Sequence, residues 1–75
     1  MKEHDCVILT GDLPDAGLKS GDIGTVVHVH PEGKGYEVEF MTLAGETVAV
    51  ATLLPYQLRA ISRGDLAHVR EVSIS

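Results

Sequence analysis

The stretch Ile23-Gly24-Thr25-Val26-Val27-His28-Val29-His30, followed by Pro31-Glu32-Gly33-Lys34 and then Gly35-Tyr36-Glu37-Val38-Glu39-Phe40, decides the fold. Its two flanks are rich in β-branched and aromatic residues and alternate with period two, the pattern of half-buried strands. Pro31 to Lys34 has the composition of a tight connection. A four-residue connection there sets Val29 opposite Tyr36 and Val27 opposite Val38. The odd positions Ile23, Thr25, Val27 and Val29 then share the buried face with Tyr36, Val38 and Phe40. The same register puts His28 opposite Glu37 on the outside.

Working outward, glycines at 11, 17, 21, 24, 33, 35, 45 and 64 cut the chain into pieces too short for long helices. Val7 to Thr10 and Thr47 to Thr52 read as further strands. A three-residue loop with Gly45 in the left-handed region pairs Phe40 with Val48 and Val38 with Val50, which turns Ala49 and Ala51 outward beside Glu39 and Glu37. Gly11 to Asp22 is a long polar loop. Leu53 to Leu58, interrupted by Pro55, reads as one turn of 3₁₀ helix before a short last strand, Leu58 to Ile61. The expected fold is all-β: a small five-stranded SH3-like barrel over residues 1–61, with a 3₁₀ turn before the last strand and a C-terminal extension over 62–75. Closure into a barrel would remove the exposed sheet edges. An OB barrel fits less well, because it carries a helix between its third and fourth strands, where this chain has a tight turn. In the extension, Leu66, Val69 and Val72 suit a helical stripe with Ser62 and Asp65 spaced as a capping box, while Val69 to Ile74 equally suits a strand. Either way its apolar residues are expected to cover the barrel or a second subunit.

At 75 residues the chain has room for one small domain, and its 44% apolar and 23% charged residues give a globular rather than a disordered mix. Tyr36, Phe40 and Tyr56 are the only aromatics, so aliphatic residues must build the core. The net charge of −5 has the wrong sign for a phosphate-binding surface. Lys2, Lys19, Lys34, Arg59, Arg63 and Arg70 also form no run or stripe, which argues against nucleic acid as a partner. No apolar run is long enough for a membrane span, and the single cysteine permits no internal disulfide. A cytoplasmic protein is expected.

Two sequence patterns carry a family resemblance. Leu18-Lys19-Ser20-Gly21-Asp22-Ile23-Gly24-Thr25-Val26-Val27 resembles the Gly-x-x-Gly-x-Val signature with which SH3-like barrels begin their second strand, including KOW-type domains and the C-terminal barrel of the nitrile hydratase β subunit. Taken with Asp5-Cys6-Val7-Ile8-Leu9, Asp12-Leu13-Pro14 and Tyr36-Glu37-Val38-Glu39-Phe40, it is most similar to a group of short bacterial proteins known only as a domain of unknown function. The resemblance spans residues 5 to 61 and implies a fold without implying an activity. The physical reading of Gly21 and Gly24 is that they flank a sharp turn into the strand, where a side chain would obstruct.

Several constellations bear on chemistry. His28 and His30 project from one strand face, and Glu37 and Glu39 from the same face of its neighbour, a donor set that zinc accepts. The competing reading is a solvated face with cross-strand pairing. Cys6 points away from Val7 and Leu9 and has no base or oxyanion site in view for nucleophilic catalysis. Asp5, Asp12, Asp15 and Asp22 lack EF-hand spacing and read as turn and capping residues. Arg63-Gly64-Asp65 matches an adhesion tripeptide in letters alone.

These readings lead to a non-enzymatic interaction module with no cofactor, which binds a protein partner or forms a homodimer. One expected surface gathers Leu13, Pro14, Leu18, Tyr36, Leu54, Pro55 and Tyr56 at one side of the barrel. The other uses outward strand positions at Cys6, Ile8, Ala49 and Ala51, together with the tail. The alternatives are a metal-binding or enzyme-accessory protein acting through His28 and His30, and a KOW-type nucleic-acid-associated domain.

Overall fold

The computed structural model describes residues 1–73; Ile74, the end of the expected terminal strand, lies outside the described residues. The chain forms β1 (Cys6–Leu9), β2 (Ile23–Val29), β3 (Tyr36–Met41), β4 (Thr47–Leu53) and β5 (Leu58–Ala60). Single 3₁₀ turns lie at Pro14–Ala16, Pro31–Gly33 and Pro55–Gln57. All five strands join one antiparallel sheet in the order β4-β3-β2-β1-β5. The all-β class and the 3₁₀ turn before the last strand are as expected. The ladder does not close: β4 and β5 remain its two edges.

The sheet curves around one largely aliphatic core of Val7, Leu9, Leu18, Val26, Val38, Leu53 and Leu58, with the aromatic Phe40 among them. With so few aromatics, Val and Leu carry the burial that drives the fold, each contributing roughly 1.5–3 kcal/mol of transfer free energy. The long first loop folds back on itself through a pair of backbone hydrogen bonds between Leu13 and Leu18. Arranged in this way, it delivers Leu18 to the core.

Both hairpin turns match the sequence reading, and both registers then slip by one residue. In the β2–β3 hairpin, Val29 pairs with Tyr36 and His28 with Glu37 as expected, but a β-bulge follows and Val26, not Val27, faces Val38. Val26 is fully buried while Val27 and Ile23 are exposed, so the inward set before the bulge is Gly24 and Val26. The β3–β4 hairpin has the three-residue loop, with Gly45 at φ +89 and Thr42 N–H bonded to Glu46 O at 2.8 Å. A second bulge then sets Phe40 opposite Ala49 and Val38 opposite Ala51. The reversal of faces corrects the outward placement of Ala49 and Ala51: both pack against the core, and Val50 is the residue turned out. Bulges bend and twist a strand, and a five-stranded sheet needs such bends to wrap around a core this small.

The tail contains neither the helix nor the strand among its described residues. Ser62 and Asp65 form one half of a capping box, with Ser62 N–H donating to Asp65 Oδ2 at 2.7 Å, while Asp65 N–H donates to the Ser62 backbone O at 3.1 Å as in a simple turn. No helix follows them. Gly64 weakens a helix start, and Leu66 and Val69 of the expected stripe are largely exposed, so no packing holds these residues helical.

Candidate functional site

Of the residues expected at one side of the fold, Tyr36, Leu54, Pro55 and Tyr56 adjoin at the end of β4, and not all of the expected set is free to bind. Tyr36 pairs with Leu53, the last residue of β4, and Leu54, Pro55 and Tyr56 follow directly. The first loop is tied to this turn by Thr10, whose Oγ1 donates to Tyr56 O at 3.0 Å and whose N–H donates to Gln57 O at 2.9 Å. Tyr56 is 76% exposed and Leu54 45%, and Pro14 is exposed beside the half-buried Leu13. Leu18 is a core residue and Tyr36 packs half-buried against the core, so neither offers a free surface. Ile8 is likewise corrected: it is buried, flanked in register by Ile23 on β2 and Arg59 on β5. Cys6 is exposed, opposite Thr25.

On the outer face, His28 and His30 lie edge to face with ring centroids 5.0 Å apart. Glu37 bonds to His30 Nε2 at 2.6 Å rather than to its register partner His28, because the side chains lean along the strands. Thr52 Oγ1 donates to both Glu37 oxygens, at 2.9 and 2.8 Å. With His30 as the main cause and Thr52 as the second, the Glu37 carboxyl is held below its ordinary pKa. Glu39 is drawn away to Thr47 Oγ1 at 2.7 Å. The expected quartet is therefore brought together only in part. Among the described residues no group of three or more His, Cys, Asp and Glu side chains is arranged to hold a metal ion.

The acidic loop residues act as turn caps. Asp12 Oδ1 accepts Ser20 N–H at 2.9 Å, and Asp5 Oδ2 accepts Lys2 N–H at 3.0 Å. Asp22 Oδ2 accepts Lys19 N–H at 2.8 Å, and Asp22 is gripped as well by Arg70 from the tail, Nε to Oδ1 at 2.8 Å. This fork holds Asp22 below the ordinary carboxylate range, the hydrogen bond from Arg70 being the largest cause. Arg59 makes a second fork on Asp65, with both bonds at 2.9 Å, and Asp65 is held well below its usual range. Alongside these clasps the tail crosses the sheet and leaves a mainly apolar groove of about 360 Å³, walled by Phe40, Met41, Leu43, Val48 and tail residues 67–72.

The feature that the sequence reading missed is the outer edge of β4. Thr47-Val48-Ala49-Val50-Ala51-Thr52-Leu53 contains no charge and no proline, and it pairs on one side only. Among the described residues its backbone hydrogen-bonds to no element other than β3. The opposite edge is different: β5 has three residues, with Arg59 at its centre. The signal was present in the sequence as a neutral β-branched heptad, but only the strand order reveals it as an edge.

Residues 3–60 match a family defined as a domain of unknown function, DUF4926. The chain belongs to the DUF4926 family. No curated protein and no solved structure matches the chain. The DUF4926 match covers all five strands and stops before the tail, so the His28, His30 and Glu37 cluster and the β4 edge lie within the family domain while Asp65 and Arg70 lie beyond it. No helix among the described residues is long and apolar enough to cross a membrane.

Proposed function

We propose that the protein is a non-enzymatic interaction module, an SH3-like β-fold that docks an extended protein strand along its open β4 edge. The observation that carries this reading is the contrast between the two sheet edges. Edge strands present rows of unpaired N–H and C=O groups, and proteins protect them by shortening them or by placing charges and prolines on them. β5 is short and carries Arg59; β4 has seven residues with neither charge nor proline, and only the bulge at Val48, near its start, interrupts it. Strand addition to such an edge takes its affinity from main-chain hydrogen bonds and its selectivity from alternate side chains, which suits a surface lacking deep pockets. The exposed Val50 supplies an apolar contact on the outer face.

The test uses a seven-residue peptide of alternating valine and threonine, not copied from β4, with a lysine added at each end for solubility. Titrated into isotope-labelled protein, it is expected to shift the amide resonances of β4, above all Val50 and Thr52, while leaving β5 unchanged. Shifts absent from β4, or scattered over the whole sheet, would overturn the reading.

A further inference from the structure

We infer that the occupant of the β4 edge is β4 of a second copy, paired antiparallel about a two-fold axis at Val50. The inference deepens the edge-docking reading and rests on it. The phase of the edge comes first. The Leu53 carbonyl oxygen lies 3.0 Å from the point where a Cβ on Gly35 would stand, so Leu53 turns its backbone groups toward β3. Backbone directions alternate along an antiparallel strand, so Ala51 and Ala49 also turn inward to β3, and Val50 and Thr52 aim their N–H and C=O outward.

The side chains then choose the partner. A two-fold axis at Val50 places Val50 against Val50 of the second copy and Ala49 against Ala51 on either side, up to the bulge at Val48, where the regular ladder ends. Every pair is small or β-branched, none is charged, and the same contacts are made twice, as an isologous interface requires. The charge distribution agrees. The chain carries −5 overall, yet β4 itself carries none, and the acidic residues on the next strand are tied down by β4's own threonines, Glu39 by Thr47 and Glu37 by Thr52. Two acidic copies can therefore meet along this edge without opposing like charges.

The experiment is light scattering on the full chain over a range of concentrations up to its solubility limit, with V50K, V50E, their equimolar mixture and V50T. Val50 is 58% exposed, so these substitutions leave the core intact, and dispersed amide spectra verify folding. Expected are a mass approaching twice the 8.0 kDa of one chain for wild type and V50T, monomers for V50K and for V50E alone, and a restored dimer on mixing them, since Lys then faces Glu across the axis. A wild type that remains monomeric overturns the self-pairing; the peptide titration then tells whether the edge reading survives, by shifts at Val50 and Thr52, or falls with it. A V50K chain that dimerises like wild type, or a mixture that stays monomeric, overturns the two-fold axis at Val50.

Discussion

Val38 occupies the space that a side chain on Gly24 would fill: a Cβ built on Gly24 would stand 2.5 Å from Val38 Cγ1 and 2.9 Å from Phe40 Cε2. β2 meets the core through a position with no side chain at all, and β3 fills the vacancy. Gly24→Ala is expected to destabilise by about 1–3 kcal/mol through overpacking, and Val38→Ala by about 2 kcal/mol through the cavity it leaves. Because one change vacates the volume that the other demands, the double variant should be more stable than the two losses predict, by at least about 0.5 kcal/mol. Urea midpoints of the four proteins measure this, and simple additivity would sink the packing argument.

A second prediction concerns Glu37. Its folded-state pKa is depressed by His30 and then by Thr52, so the stabilisation it contributes is fully present above the ordinary value of 4.5 and is lost as pH falls through the depressed one. Thr52→Val removes both hydroxyl hydrogen bonds while retaining a β-branched residue on the strand. The Glu37 titration, followed by carboxyl NMR, should move upward toward 4.5 in that variant without reaching it, because His30 remains in place. An unmoved midpoint would mean that Thr52 does not hold the carboxylate.

The accuracy of the sequence reading divides at the bulges. Turn chemistry was legible: Pro31 to Lys34 and Gly45 fix the first pair after each turn, and Val29–Tyr36, His28–Glu37 and Met41–Thr47 follow from local residue preferences. One step further into each hairpin, Val27 and Val48 are extra residues, and the faces reverse. Nothing local distinguishes Val26 from Val27, since both are valines; what decides is the fit of Gly24 and Val26 against Val38 and Phe40, a property of the closed core. Ile8 differs in exposure and not in face: the core takes Val7 and Leu9 as alternation requires, and Ile8 is buried on the other side, midway across the sheet between Ile23 and Arg59. The outer-face cluster was legible as a set of residues and not as a bonding pattern, because rotamers rather than register pair Glu37 with His30.

The clasp between Arg70 and Asp22 gives a third prediction. Asp22 titrates below its ordinary value of 3.8 chiefly because of Arg70, so the clasp is fully made above that value and opens as pH falls through the depressed one. Arg70→Ala should leave the core intact, since Arg70 lies in the exposed tail, while freeing residues 66–73. Limited proteolysis at neutral pH should cut the variant tail several-fold faster than that of wild type, and the difference should shrink below pH 3.8 under an acid-active protease. Equal cutting rates at neutral pH would show that the tail is held by other contacts.

The fourth prediction sets two glycines against each other. Gly45 adopts φ +89 in the loop that fixes where β4 begins, and no atom stands near a Cβ there, so any penalty at this site comes from the backbone alone. Gly45→Ala is expected to cost about 1 kcal/mol, because an alanine must either strain in the left-handed region or shift the loop. Gly64, in the tail, has equally open surroundings and no positive φ. Gly64→Ala should therefore leave stability unchanged or raise it by up to about 1 kcal/mol, through a less flexible unfolded chain. Thermal melts of the two variants should thus move in opposite directions or differ clearly in size. If Gly45→Ala is as mild as Gly64→Ala, the loop does not need the left-handed residue, and the start of β4 must be fixed by the bulge at Val48 and the pairing of Phe40 with Ala49 instead.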